Sequence, residues 1–94
     1  MATFIMVGQY SADSFEGMSS ERTASVVEQI KGFGGEVNGM YALLGQDDLL
    51  FIVDFPSTVV ALKASVAINK ATGISFTTSP ALPVEEFDNL ISDL

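Results

Sequence analysis

Five consecutive large apolar residues, Leu49-Leu50-Phe51-Ile52-Val53, stand between Asp48 and Asp54. No other stretch restricts the fold so strongly. The run is too short for a membrane span or a core helix and is closed by Phe55-Pro56, so it reads as a strand. Successive strand residues point to opposite faces, which makes this strand apolar on both: Leu49, Phe51, Val53 and Phe55 oppose Leu50 and Ile52. The first strand, Thr3–Tyr10, repeats the pattern, with Phe4, Met6 and Tyr10 against Ile5 and Val7. A sheet built on such strands needs a cover on each side.

The remaining elements announce themselves by their ends. Ser11–Ser20 is polar and reads as a loop. Ser19 or Ser20 then caps a helix with Glu21 in its first turn and Val26, Val27, Ile30 and Phe33 along one side, stopped by Gly34-Gly35. The strands Glu36–Leu44 and Asp48–Phe55 are joined through Gly45-Gln46-Asp47 as a hairpin. Ser57 or Thr58 caps a second helix running to about Thr72, with Gly73 as its stop. Ile74–Ser79 is a fourth strand, which Pro80 ends. After Pro83 a short amphipathic helix carries Val84, Phe87, Leu90 and Ile91 as its apolar stripe. The order β-α-β-β-α-β plus a C-terminal helix predicts an α+β, ferredoxin-like antiparallel sheet in one domain over residues 1–94.

Helices cover one face of such a sheet. The aliphatic set (Ile5, Val7, Leu50, Ile52) is assigned to them. The bulkier set (Phe4, Met6, Phe51, Val53, with Tyr41) is assigned to a homodimer interface, since a lone C-terminal helix is too short to screen four strands. The second helix adds a second apolar stripe, Val59, Leu62 and Val66, which leaves assemblies above the dimer open.

Composition narrows the chemistry. The chain has no His and no Cys, which removes Ser-His-Asp and Cys-His catalysis, thiol or imidazole metal sites and conventional haem ligation. No cofactor and no metal site is expected. Asp47-Asp48 is a candidate cation pair, but a third ligand is missing and paired turn carboxylates are ordinarily just solvated. Twelve acidic against four basic residues give a net charge of −8, which disfavours nucleic acid and anionic membranes as partners. The N-terminal stretch has neither the basic region of a signal peptide nor the length of a span, so the cytoplasm is the expected compartment.

Few polar residues are placed for chemistry. Asp54, at the end of the third strand, is a candidate base if desolvation raises its pKa, or else a partner for free N–H groups of the following helix. Tyr10, Tyr41 and Thr77 are candidates to bind or orient a ligand, although each is also ordinary strand composition.

Three stretches, Tyr41-Ala42-Leu43-Leu44-Gly45-Gln46-Asp47-Asp48, Phe51-Ile52-Val53-Asp54-Phe55-Pro56 and Gly73-Ile74-Ser75-Phe76-Thr77-Thr78-Ser79-Pro80, resemble the GYD-domain family of small prokaryotic proteins. Gly45 and Asp48 fit its Gly-x-Tyr-Asp pattern, and Asp47 stands in place of the Tyr. The resemblance implies the dimeric α/β-barrel superfamily, whose protomers pack sheet to sheet and whose members range from cofactor-free monooxygenases and isomerases to ligand sensors. Two readings follow. One is an oligomeric sensor or carrier holding a small apolar or amphipathic ligand between sheet and helices. The other is a cofactor-independent enzyme with Asp54 as base and Tyr41 or Thr77 as orienting group.

Overall fold

The computed structural model describes residues 1–94. The strands are β1 (Ala2–Gln9), β2 (Glu36–Ala42), β3 (Leu49–Phe55) and β4 (Ser75–Ala81), and the helices are α1 (Ala12–Glu16), α2 (Ser20–Gly32), α3 (Thr58–Thr72) and α4 (Val84–Ile91). One antiparallel sheet has the order β2-β3-β1-β4, which sets the two most apolar strands in the middle. With α2 and α3 packed on one face, this is the ferredoxin-like α+β fold. No helix is long and apolar enough to cross a membrane.

The caps lie where local chemistry requires them. Ser19 Oγ accepts from Arg22 N at 3.0 Å and Ser57 Oγ from Val60 N at 3.2 Å, each satisfying a donor the first helical turn leaves free. Gly73 closes α3 at φ 79°, a left-handed conformation that costs a side-chain-bearing residue.

Three local expectations change. The segment expected as a loop contains α1, a single turn closed by reciprocal hydrogen bonds of Ser11 and Ser14, too short for any periodicity to reveal. The fourth strand runs through Pro80 rather than ending before it. β4 is an edge strand, so the missing N–H of proline disturbs no ladder. The hairpin strands also end sooner, leaving Leu43–Asp48 as the connection.

A larger correction concerns the faces. Phe4, Met6, Phe51 and Val53, assigned to a dimer interface, are buried within the single chain against Val26 and Ile30 of α2 and Ala61, Ala64 and Ile68 of α3. The reason is volume. The core side of α3 is mostly small residues, and the space they leave is filled by phenylalanine and methionine. Phe4 meets Phe55 edge to face with ring centroids 5.9 Å apart, and Phe51 meets Phe76 at 5.3 Å. The aliphatic set, Ile5, Val7, Leu50 and Ile52, lies on the other face and stays half-exposed. α4 does not cover it, since none of its residues is buried.

Candidate functional site

Between α2 and the β2 side of the sheet lies a cleft of about 350 Å³. Met40 and Phe51 supply its sheet side, Val26 and Arg22 its helix side, and Tyr10 and Met18 come from the segments flanking α1. Most of the lining is apolar, and its volume suits a small organic molecule. The charged member is Arg22. Its guanidinium carbon sits 5.7 Å from the centre of the Tyr10 ring, and Nη1 donates to the carbonyl of Ser14. Phe15 packs edge to face on Tyr10 at 5.9 Å, which fixes the ring that carries the cation. The molecule has one ion pair, Lys31 with Glu28 at 3.8 Å, so Arg22 has no carboxylate partner despite the acidic excess. A guanidinium has five N–H donors, and the Ser14 carbonyl occupies only part of that capacity.

The cleft brings together only some of the residues singled out from the sequence. Tyr10 is on its wall. Tyr41 borders it from edge strand β2, while the Tyr41 ring lies across Gly39 on the open face. A Cβ built on that glycine would fall 3.1 Å from Tyr41 Cε2. Thr77 and Asp54 are on the open face and border no part of the cleft. Tyr41, Leu50, Val7 and Thr77 form one cross-strand row. Asp54 lies four residues farther along β3, about 13 Å at ~3.3 Å per residue. One small substrate cannot meet Asp54 as base and Tyr41 or Thr77 as orienting group.

Asp54 is also poised against base chemistry. The Thr3 hydroxyl donates to its Oδ1 at 2.6 Å, and this bond, followed by the Asn38 side chain, holds the carboxyl below its ordinary range against a smaller upward push from burial. Asn38 is the extra residue at a register shift between Val37 and Gly39. The raised pKa expected from an apolar setting is thus reversed. At the start of α3 it is Ser57 instead that accepts, from the Val60 N–H.

The paired aspartates have a structural task. Asp48 Oδ2 accepts from Tyr10 N at 2.9 Å, and Asp48 N donates to the Gly8 carbonyl at 2.9 Å. Asp47 Oδ1 takes the Gln9 amide at 3.1 Å. These bonds clamp the β2–β3 connection to the end of β1, beside Tyr10 and the cleft. Sequence reasoning passed over Arg22, Met18 and Asp48 in this setting. The available signal was Arg22 itself, one of only four basic residues.

The GYD domain matches residues 4–91, nearly the whole chain. The chain belongs to the GYD-domain family. Comparison with curated proteins finds no match. Among solved structures, this GYD domain is similar to the leucine response regulatory protein LrpA of Mycobacterium tuberculosis, with TM-score 0.62 and 11% identity over 87% of this chain and 51% of that one. A second structure, of a glutamate-to-alanine mutant, aligns with TM-score 0.64 and 13% identity over 87% of this chain and 50% of its own. The GYD chain spans about half the length of both. At these identities the likeness establishes the shared fold alone.

Proposed function

We propose that this GYD protein is a small-molecule-binding module, a sensor or carrier, whose cleft beside α2 takes a compact amphipathic anion such as a monocarboxylate. The observation that carries the reading is Arg22: a half-buried guanidinium without a carboxylate partner, on the wall of an apolar cleft, in a chain of net charge −8. A carboxylate on the ligand supplies the missing countercharge, and the apolar lining takes its body. The fold it shares with a regulatory protein, LrpA, is compatible with sensing. Asp54, held ionised and remote from the cleft, supplies no support for the enzymatic alternative.

The protein works in this reading as a homodimer packed through the open sheet face. The support is the half-exposed set Ile5, Val7, Leu50 and Ile52 on central strands, a surface that a second copy covers by two-fold symmetry.

The test uses the intrinsic fluorescence of the two tyrosines, Tyr10 and Tyr41, both at the cleft, since the chain lacks Trp. Phenylacetate is titrated against its neutral amide, with wild type and Arg22→Gln compared. Saturable quenching by the acid, weaker for the amide and lost in the variant, is expected. Equal response to acid and amide would refute the anion site.

A further inference from the structure

Two surfaces remain without partners, and they complement each other. The first is α4. It makes no extensive packing with any other element and buries none of its residues, and its stripe of Val84, Phe87, Leu90 and Ile91 faces solvent, from Leu90 at 67% exposure to Ile91 at 37%. Residues 84–94 carry Glu85, Glu86, Asp88 and Asp93 and no basic residue. The second surface is the outer side of α3. Val59, Leu62 and Val66 follow one another at i, i+3 and i+7 on the side away from the core, with Leu62 65% exposed. Lys63 and Lys70 share that side by the same spacing. The helix has no acidic residue, and neither lysine is paired.

Beside this ridge a shallow groove of about 300 Å³ runs between α3 and β4. Three of its four polar side chains are already engaged with one another or with the backbone: Ser65 Oγ lies 2.7 Å from Thr78 Oγ1, and Asn69 Nδ2 donates to the Ile74 carbonyl at 2.9 Å; the fourth is Ser75. What it still offers is Leu62, Val66 and Phe76, which suits apolar side chains better than a polar ligand. The lengths agree as well. Eight residues of α4 extend about 12 Å, and Val59 to Val66 about 10 Å, at ~1.5 Å per residue.

We infer that α4 of one copy docks on the α3–β4 groove of a second copy, its apolar stripe on Leu62, Val66 and Phe76 and its acidic residues toward Lys63 and Lys70. Charge selects this surface over the open sheet face, where Glu36 and Asp54 sit in register and repel an acidic helix. The connection selects a second copy over the same one. Leu82 precedes a proline, which favours extended backbone, and Pro83 has φ −55° and ψ 141°. After these two extended residues α4 is not packed on α3 of its own chain, and the molecule is 50 Å in its long dimension. The contact is a helix exchange distinct from the sheet-face interface and independent of the cleft. Combined with a sheet-face dimer it builds assemblies larger than two.

The absence of cysteine makes the test direct. Val66→Cys is mixed with Phe87→Cys, Leu90→Cys or Ile91→Cys, all at positions the single chain leaves exposed, and oxidised with copper-phenanthroline. At least one pair is expected to give a mixed disulfide-linked dimer in excess over self-linked species, and its yield should fall about five- to tenfold when Lys63→Glu and Lys70→Glu are added. No mixed dimer from any pair would overturn the inference. So would a Val66→Cys/Leu90→Cys double variant that closes its disulfide within a monomer, since the helix would then dock on its own chain.

Discussion

The two faces of the sheet come from the same strands, yet one is finished within the chain and the other is not. On the helix side Phe4, Met6, Phe51 and Val53 interlock with small residues of α3 and the apolar side of α2. On the other side Ile5, Val7, Leu50 and Ile52 remain half-exposed, flanked by Thr77 and by Asp54 with its Thr3 partner. The finished face is where the fold gets its stability, and it opens at the cleft beside Arg22 and at the shallow groove between α3 and β4. The unfinished face is where association should act. Apolar content alone does not distinguish them; closeness of packing does.

The largest expected effect breaks the finished face. Phe51→Ala should cost about 3–5 kcal/mol in urea denaturation, independent of protein concentration, because it leaves a cavity in the core. A loss below about 1 kcal/mol would mean that the face is not closely packed. Next comes the unfinished face. Ile52→Asp should keep the circular dichroism of the fold but weaken self-association by roughly 2 kcal/mol or more, read as a shift to monomer in light scattering. An unchanged dimer would remove the open face from the interface.

The cleft gives a smaller effect on the helix side. Arg22→Gln should weaken monocarboxylate binding by about tenfold or more, since hydrogen bonds to charged groups contribute ~1.5–3 kcal/mol, with little change in unfolding midpoint. The smallest effect belongs to Asp54. Its folded pKa lies below the ordinary value of 3.8, so its contribution is present above that pH and is lost as pH falls through the folded value. Asp54→Asn should be slightly less stable than wild type at neutral pH, and the gap should close below about pH 4. A gap that widens on acidification would mean that the carboxyl is raised rather than lowered.

Much of the fold was legible because its signals are short-range. Ser19, Ser57, Gly34 and Gly73 mark helix ends through bonds or φ angles that involve neighbours a few residues away. α1 escaped because one turn has no period to detect. Pro80 misled because whether a strand lies at an edge is a property of the sheet. The cleft was only partly legible. Tyr10 was singled out for its hydroxyl, whereas its ring is what carries Arg22, twelve residues on. Met18, Met40 and Phe51 join them from three further parts of the chain, and no local motif links the set.

By itself the sequence determined the order of strands and helices, the double apolar character of β1 and β3, and the exclusion of His- and Cys-based chemistry. Each of these follows from residue identity and spacing along the chain. Only the tertiary structure decided which face the helices take. A strand's two faces are related by a shift of a single residue, and alternation alone leaves them equivalent when both are apolar. The choice falls to volume: Ala61 and Ala64 on α3 leave room that Phe4, Phe51 and Phe55 fill, and their partners in that packing lie far away in the chain.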